Sequence, residues 1–310
     1  MTTLRDAMDA YMRMRRDLGF KLVQTERWLQ AFVAFMDVRQ ATVITTELAL
    51  EWAMLPVHAQ PACWAKRLMV VRLFARYHHA SEPRTEVPPA GLVPYHPRRA
   101  KPYLYAAEEI EHLLSAAAAL PSAGGLRGCV YACLLGLLAV TGLRIGEALA
   151  LVDTDVDLTG AVLTIRTGKF GKSRLVPLHA STVQALSAYV RRREACVGTF
   201  AAPHFFVSER GTPLNAATVR RTFRSLCRQL GLQATAGSDE PRLHHFRHRF
   251  ATETLLQWYR SGEEVERQLP VLSTFLGHTC IADTYWYLSA CPALMAEAVA
   301  CLEQRWETRA

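Results

Sequence analysis

Six prolines, at positions 83, 88, 89, 94, 97 and 102, crowd one short stretch of this 310-residue chain. A prolyl ring fixes φ and removes an amide donor, so neither a helix nor an interior strand runs through such a segment. The chain must therefore divide there. Residues 83–102, poor in apolar periodicity, read as an extended linker between an N-terminal domain, 1–82, and a larger one, 103–310. Half of all residues are hydrophobic, enough for a core on each side.

Residues 1–82 read as four helices. Leu4, Met8, Tyr11 and Met12 recur at helical spacing up to Gly19, and Trp28, Phe32 and Met36 repeat the pattern. A third helix runs from Thr46 towards Pro56 and a fourth from Pro61 to His78. Arg15, Arg16, Lys21, Arg27, Lys66 and Arg67 are candidates for DNA phosphate contacts, with ordinary solvated charge as the competing reading. The same two readings compete for Arg98, Arg99 and Lys101 at the end of the linker.

The formal charge of +8, from 36 basic and 28 acidic residues, favours a polyanionic partner. The N-terminus has no apolar signal core, and the longest apolar run, Cys129–Val140, is too short to span a bilayer. The expectation is a soluble, cytoplasmic protein. Eight cysteines without a Cys-x-x-Cys pair read as reduced core thiols.

In the second domain the apolar helix 129–140 delivers Thr141-Gly-Leu-Arg144, and the next helix begins there. An arginine leaving a buried helix needs an anion: either Glu147, one turn on, or a phosphate with Glu147 as a brace. Two strand-like runs, 161–166 and 173–177, flank Thr167-Gly-Lys-Phe-Gly-Lys172, whose glycines permit a tight turn and would place Lys169 at its tip; Lys172 is assigned only backbone contact. Asn215 is a helix cap, and Arg220, Arg224 and Arg228 behind it share a face, with Arg221 beside them, suited to DNA phosphates. Further on come His244-His-Phe-Arg247, Leu276-Gly-His278 and Tyr287. Guanidinium forks match the oxygens of a phosphodiester and stay charged at any working pH. Histidines add proton carriers, and a tyrosine becomes a nucleophile once its proton leaves and cations meet its charge.

His244 and His248 also share a helical face at metal-ligand spacing, but the arginine between them would repel a cation, so no metal or other cofactor is assigned. Tyr285 and Tyr287 compete as nucleophile. Two residues apart on a helix, they face about 200° from each other, and only one can meet the phosphate. The tail, 293–306, carries Leu294, Met295, Ala298, Val299 and Leu302 on one amphipathic face.

Arg144, Lys169, His244-x-x-Arg247, Leu-Gly-His278 and Tyr287, in that order and spacing, resemble the signature of the tyrosine recombinases, the phage integrase family, from about Pro102 to Tyr287. The wording around His278 and Tyr287 is similar to the recombinases of insertion elements and transposons. The resemblance implies a mainly α fold with a small β-hairpin or sheet: a helical core-binding domain and a mixed α+β catalytic domain. It also implies a site in which Arg144 and Arg247 clamp the phosphate, Lys169 protonates the leaving 5′ oxygen and His244 assists proton transfer. His278 completes the set, Tyr287 attacks, chosen over Tyr285 by its spacing from His278, and Glu147 and His248 support. The partner implied is double-stranded DNA, bound by a homo-tetramer on synapsed sites, alone or with partner recombinases. The tail helix docks on a neighbouring subunit or packs on its own domain. The segment 262–277 is longer than usual for the family by about one turn. A type IB topoisomerase, a DNA-binding regulator with a relic site and a metal nuclease are the other classes open to such a chain.

Overall fold

The computed structural model describes residues 3–95, 101–166, 173–198, 203–234 and 239–307, and the chain separates into two compact units, 1–99 and 100–310. The first unit holds α1 (Leu4–Asp17), α2 (Val23–Val38), α3 (Thr46–Met54) and α4 (Pro61–His79). Local chemistry sets these limits. Thr3 caps α1 reciprocally with Asp6, Thr45 accepts the Leu48 amide, and Pro61 stands in the first turn of α4, where its missing amide costs nothing. Leu29, Phe32, Met36, Trp52, Val71 and Phe74 fill the core between the helices.

Two expectations change in this unit. The proline-rich stretch is not free throughout. The Glu86 amide donates to the Ile44 carbonyl, the Glu86 carboxylate accepts the Thr46 amide at 2.7 Å, and Thr85 is buried. Residues up to Val93 therefore belong to the first unit's packing. Arg67 is not a loose phosphate ligand either: it donates to the Trp52 and Ala53 carbonyls and lies 3.7 Å from the centre of the Trp52 ring, capping α3.

The second unit is built on α6 (Leu126–Thr141), which is buried along most of its length and packed by α5 (Ala107–Ala118), α8 (Ala180–Val197) and α10 (His244–Arg260). Between them run α7 (Ile145–Ala150) and an antiparallel three-stranded sheet in the order β1 (Val156–Asp157), β2 (Val162–Ile165), β3 (Arg174–Pro177). The register pairs Leu163 with Val176, both buried in the core, and Ile165 with Arg174. α9 (Ala216–Gln229) follows, its first amides capped by Asn215. α11 (Val265–Leu276), α12 (Ala282–Ala290) and α13 (Pro292–Glu307) form a second, smaller core with the C-terminal half of α10. Most of the 262–277 segment is helical, as α11 with Pro270 inside it.

α13 packs on α10 of its own unit, where Leu294 is buried and Arg260 pairs with Glu297 at 2.9 Å. The rest of its apolar face is not all covered, since Met295 and Val299 are exposed. Cys227 and Cys291 are buried, but Cys196 and Cys280 are exposed and so are not core thiols. Among the described residues no helix is long and apolar enough to cross a membrane.

Candidate active site

Two helix C-termini end at left-handed glycines, Gly142 after α6 and Gly277 after α11, and each turns an unsatisfied carbonyl edge towards the same point. Arginines fill both. Arg247, 1% exposed on the first turns of α10, donates to the Gly142 carbonyl at 3.0 Å and the Leu276 carbonyl at 2.6 Å. Arg144, at the head of α7, donates to the Gly277 carbonyl at 3.2 Å and to Glu147 at 2.8 Å. Partially negative helix ends thus help to hold two like charges close together. Arg247's partners, two carbonyls and the Tyr287 phenol, are neutral, so its charge is not cancelled by contact. Burial and Arg144 bring its pKa down to about 10, still charged at neutral pH.

Glu147 is almost fully enclosed. Burial would raise its pKa, but the hydrogen bonds and charge of Arg174, with the backbone and side-chain hydrogen bonds of Arg144, outweigh this and hold it below the usual carboxylate range. Arg174, at the start of β3, straddles both carboxylate oxygens at 3.2 and 2.8 Å, and its Nε donates to the Phe275 carbonyl at 2.7 Å. Three guanidiniums around one carboxylate leave the pocket with an excess of about two positive charges, which suits a bound anion.

Tyr287 enters this pocket from α12. Its ring is 3% exposed and stacks at 6.0 Å on His278. Burial raises the phenol pKa, while the charge and hydrogen bonding of Arg247 and the charge of Arg144 oppose that rise. Tyr285, two residues back, is 47% exposed and so turned away. His278 follows Gly277 directly, and its Nδ1 is 2.7 Å from the Thr284 hydroxyl, which fixes the ring. Burial, then Arg247 and Arg144, depress its pKa to about 4.

His244 opens α10 with an exposed edge, so solvent tempers the desolvation that, with Arg247, His245 and Arg144, lowers its pKa towards 4. His248, one turn on, is half-buried against His244 (4.8 Å), Trp286 (4.9 Å) and Tyr287 (5.4 Å). It is pushed down to about 3 by burial first and then by His244, His245, Arg247 and His278. These imidazoles are neutral at pH 7. His245 is buried and accepts the Arg242 amide, a structural role in the turn that starts α10.

Arg144, Glu147, His244, Arg247, His248, His278 and Tyr287 are therefore brought together. Lys169, Lys172, Arg98 and Arg99 lie outside the described residues, and Lys101 is exposed at the start of the second unit. Arg220, Arg221 and Arg224 are exposed on α9, and Arg220 and Arg224 line a cleft of about 730 Å³ with Arg228, Arg242 and His244. Among the described residues no three histidine, cysteine or acidic side chains form a metal-binding group. Sequence reasoning passed over Arg174 and Thr284. Strand alternation puts Arg174 on the same face as buried Val176, which marks it as inward-facing but says nothing of its partners. Thr284 is fully buried yet polar, and carried no such signal.

This helical fold with its small sheet, and this ordered set of side chains, define a tyrosine recombinase. More particularly, the chain belongs to the phage integrase family, whose model matches residues 104–292. It is 53% identical over 313 residues, covering all of both chains, to a protein of Sinorhizobium fredii (strain NBRC 101917 / NGR234) named "Putative integrase/recombinase y4rB". It is 36% identical to tyrosine recombinase XerD of Caulobacter vibrioides (strain ATCC 19089 / CIP 103742 / CB 15), over 73% of this chain and 70% of that one. The fold is similar to that of the Tn1549 transposon integrase in complex with transposon right end DNA, with a TM-score of 0.66 at 17% identity over 96% of this chain and 98% of that one.

Proposed function

We propose that the chain carries out site-specific DNA strand exchange for a mobile element through a 3′-phosphotyrosyl intermediate. The Tyr287 oxygen attacks the scissile phosphorus as its own proton leaves, and the bond to the 5′ oxygen breaks. Arg144 and Arg247 hold the non-bridging oxygens as their charge grows. His244, neutral and open to solvent, serves as proton carrier, and His278, fixed by Thr284, donates to the phosphate. Lys169 supplies the proton that the departing 5′ oxygen takes up, following the family pattern. The 5′ hydroxyl of a partner duplex then attacks the phosphotyrosine, and the ester passes from strand to strand with its bond energy kept.

The observation that carries this reading is the burial of Tyr287 beside Arg247, a guanidinium whose contacts leave its charge available. Support for double-stranded DNA comes from α9's arginines and from neighbours such as the lambda integrase tetramer bound to a Holliday junction, with a TM-score of 0.60 at 18% identity over 90% of this chain and 78% of that one. A tetramer on two synapsed duplexes is the corresponding assembly, alone or with partner recombinases. The first unit serves as the core-binding domain, and the cytoplasmic nucleoid is the place of action. A nicked suicide substrate tests the reaction: the unaltered chain should form a denaturant-resistant DNA adduct and Tyr287→Phe should bind the same DNA without one. Adduct retained by Tyr287→Phe would overturn the assignment.

A further inference from the structure

We infer that Arg174 is a positioning residue of the cleavage step, one that divides the Glu147 carboxylate with Arg144 and so keeps the Arg144 charge available to the phosphate. The inference rests on the strand-exchange reading and names a residue outside its set of reacting groups.

Glu147 is enclosed and takes four hydrogen bonds. Oε1 accepts from Arg144 Nη1 at 2.8 Å and Arg174 Nη1 at 3.2 Å, while Oε2 accepts from the Arg144 amide at 3.0 Å and Arg174 Nη2 at 2.8 Å. With one guanidinium alone, a buried carboxylate would form a near-neutral pair and cancel the charge it was meant to aim. With two, it orients Arg144 while the trio keeps a net positive charge. Arg174 spends both Nη groups on the Glu147 carboxylate and its Nε on the Phe275 carbonyl, so its donors are committed to these partners rather than to the anion. Its Nε bond to Phe275 ties β3 to the end of α11, two residues before the Gly277 carbonyl that Arg144 also uses. A Cβ on Gly277 would lie 2.7 Å from Arg174 Nη1, so the guanidinium fills the space that this glycine leaves. Arg174 thus reaches Arg144 through Glu147 and His278 through the turn that carries it.

A cycle of variants separates charge division from mere support of the fold. Single-turnover cleavage of a suicide substrate is measured for Arg174→Gln in the unaltered chain and in a Glu147→Gln background, with duplex affinity and the thermal melt recorded for each. In the unaltered background the loss should be about 100-fold, the scale of one removed anion-stabilising group. In the Glu147→Gln background it should be less than about tenfold, because no carboxylate remains to be divided. Duplex affinity should hold within about twofold throughout. Equal losses in both backgrounds, or no loss in the first, overturn the inference. If Arg174→Gln does not melt cooperatively, Arg174→Lys takes its place in both backgrounds, with expected losses of about tenfold and less than about threefold. Failure of the unaltered chain to form any adduct would count against strand exchange itself, whereas adduct with equal losses counts against Arg174 alone.

Discussion

Arg247 shows what a single side chain contributes here. It is a buried cation whose two forks engage two helix ends and face a phenol. Lysine would keep the charge but lose the planar fork, so Arg247→Lys should slow single-turnover cleavage by about 10²- to 10³-fold with duplex affinity nearly unchanged; near-normal cleavage would show that the fork is dispensable. His248 gives a pH prediction. Its folded pKa, about 3, lies below the ordinary 6.5 because burial and neighbouring cations disfavour the imidazolium. Between those values the unfolded chain binds more protons than the folded one, so stability is full above pH 6.5 and falls as pH drops. At pH 5 this group accounts for at most about 2 kcal/mol of that fall. Urea melts at pH 7 and pH 5 should show a smaller drop for His248→Phe than for the unaltered chain; equal drops would remove His248 from the account. At this scale Arg144, Arg247, His278 and Tyr287 were legible because each sits in a short motif of fixed order. Arg174 was not, because its partners Glu147 and Phe275 lie 27 and 101 residues away and only the fold joins them.

Elements place these groups through their ends. Gly277 caps α11 at φ +67, where an L side chain is strained by about 1–2 kcal/mol, and Arg174 occupies the space a Cβ needs. Gly277→Ala should therefore lower the thermal melt and, by shifting Arg174, the Gly277 carbonyl and His278 together, slow cleavage more than the stability loss alone explains. Cleavage at the normal rate below the melting range would contradict this. Helices were legible from their caps and periodicity, as with Asn215 before α9 and Pro61 in α4. The two-residue β1 was not, since its pairing with β2 is a tertiary fact rather than a local preference. The prolines marked the region of division but not its fine limits: Glu86 and Thr85 are held by contacts with Thr46 of α3, with Ile44 two residues before that helix and with His79 at the end of α4, which no local pattern reports.

For the molecule as a whole, the net charge of +8 is less informative than its placement. Arg220, Arg224 and Arg228 on one edge of a cleft next to His244 form a track that a duplex backbone would follow out of the pocket. Replacing Arg220 and Arg224 by alanine should weaken duplex binding across sequences and reduce the slope of log affinity against log salt by about one to two. An unchanged slope would place the duplex elsewhere. The family was legible in one ordered set of residues, and the division of the chain in its prolines. The assembly was not, because α13 can pack at home, as it does through Leu294, or offer Met295 and Val299 to another surface. The cationic pocket should activate one particular phenol. Trapping the covalent complex on a suicide substrate, digesting it and locating the nucleotide-bearing peptide by mass spectrometry identifies that phenol. A nucleotide on Tyr287, joined through its 3′ phosphate, is expected; a nucleotide on Tyr285, or on any other residue, would contradict the assignment.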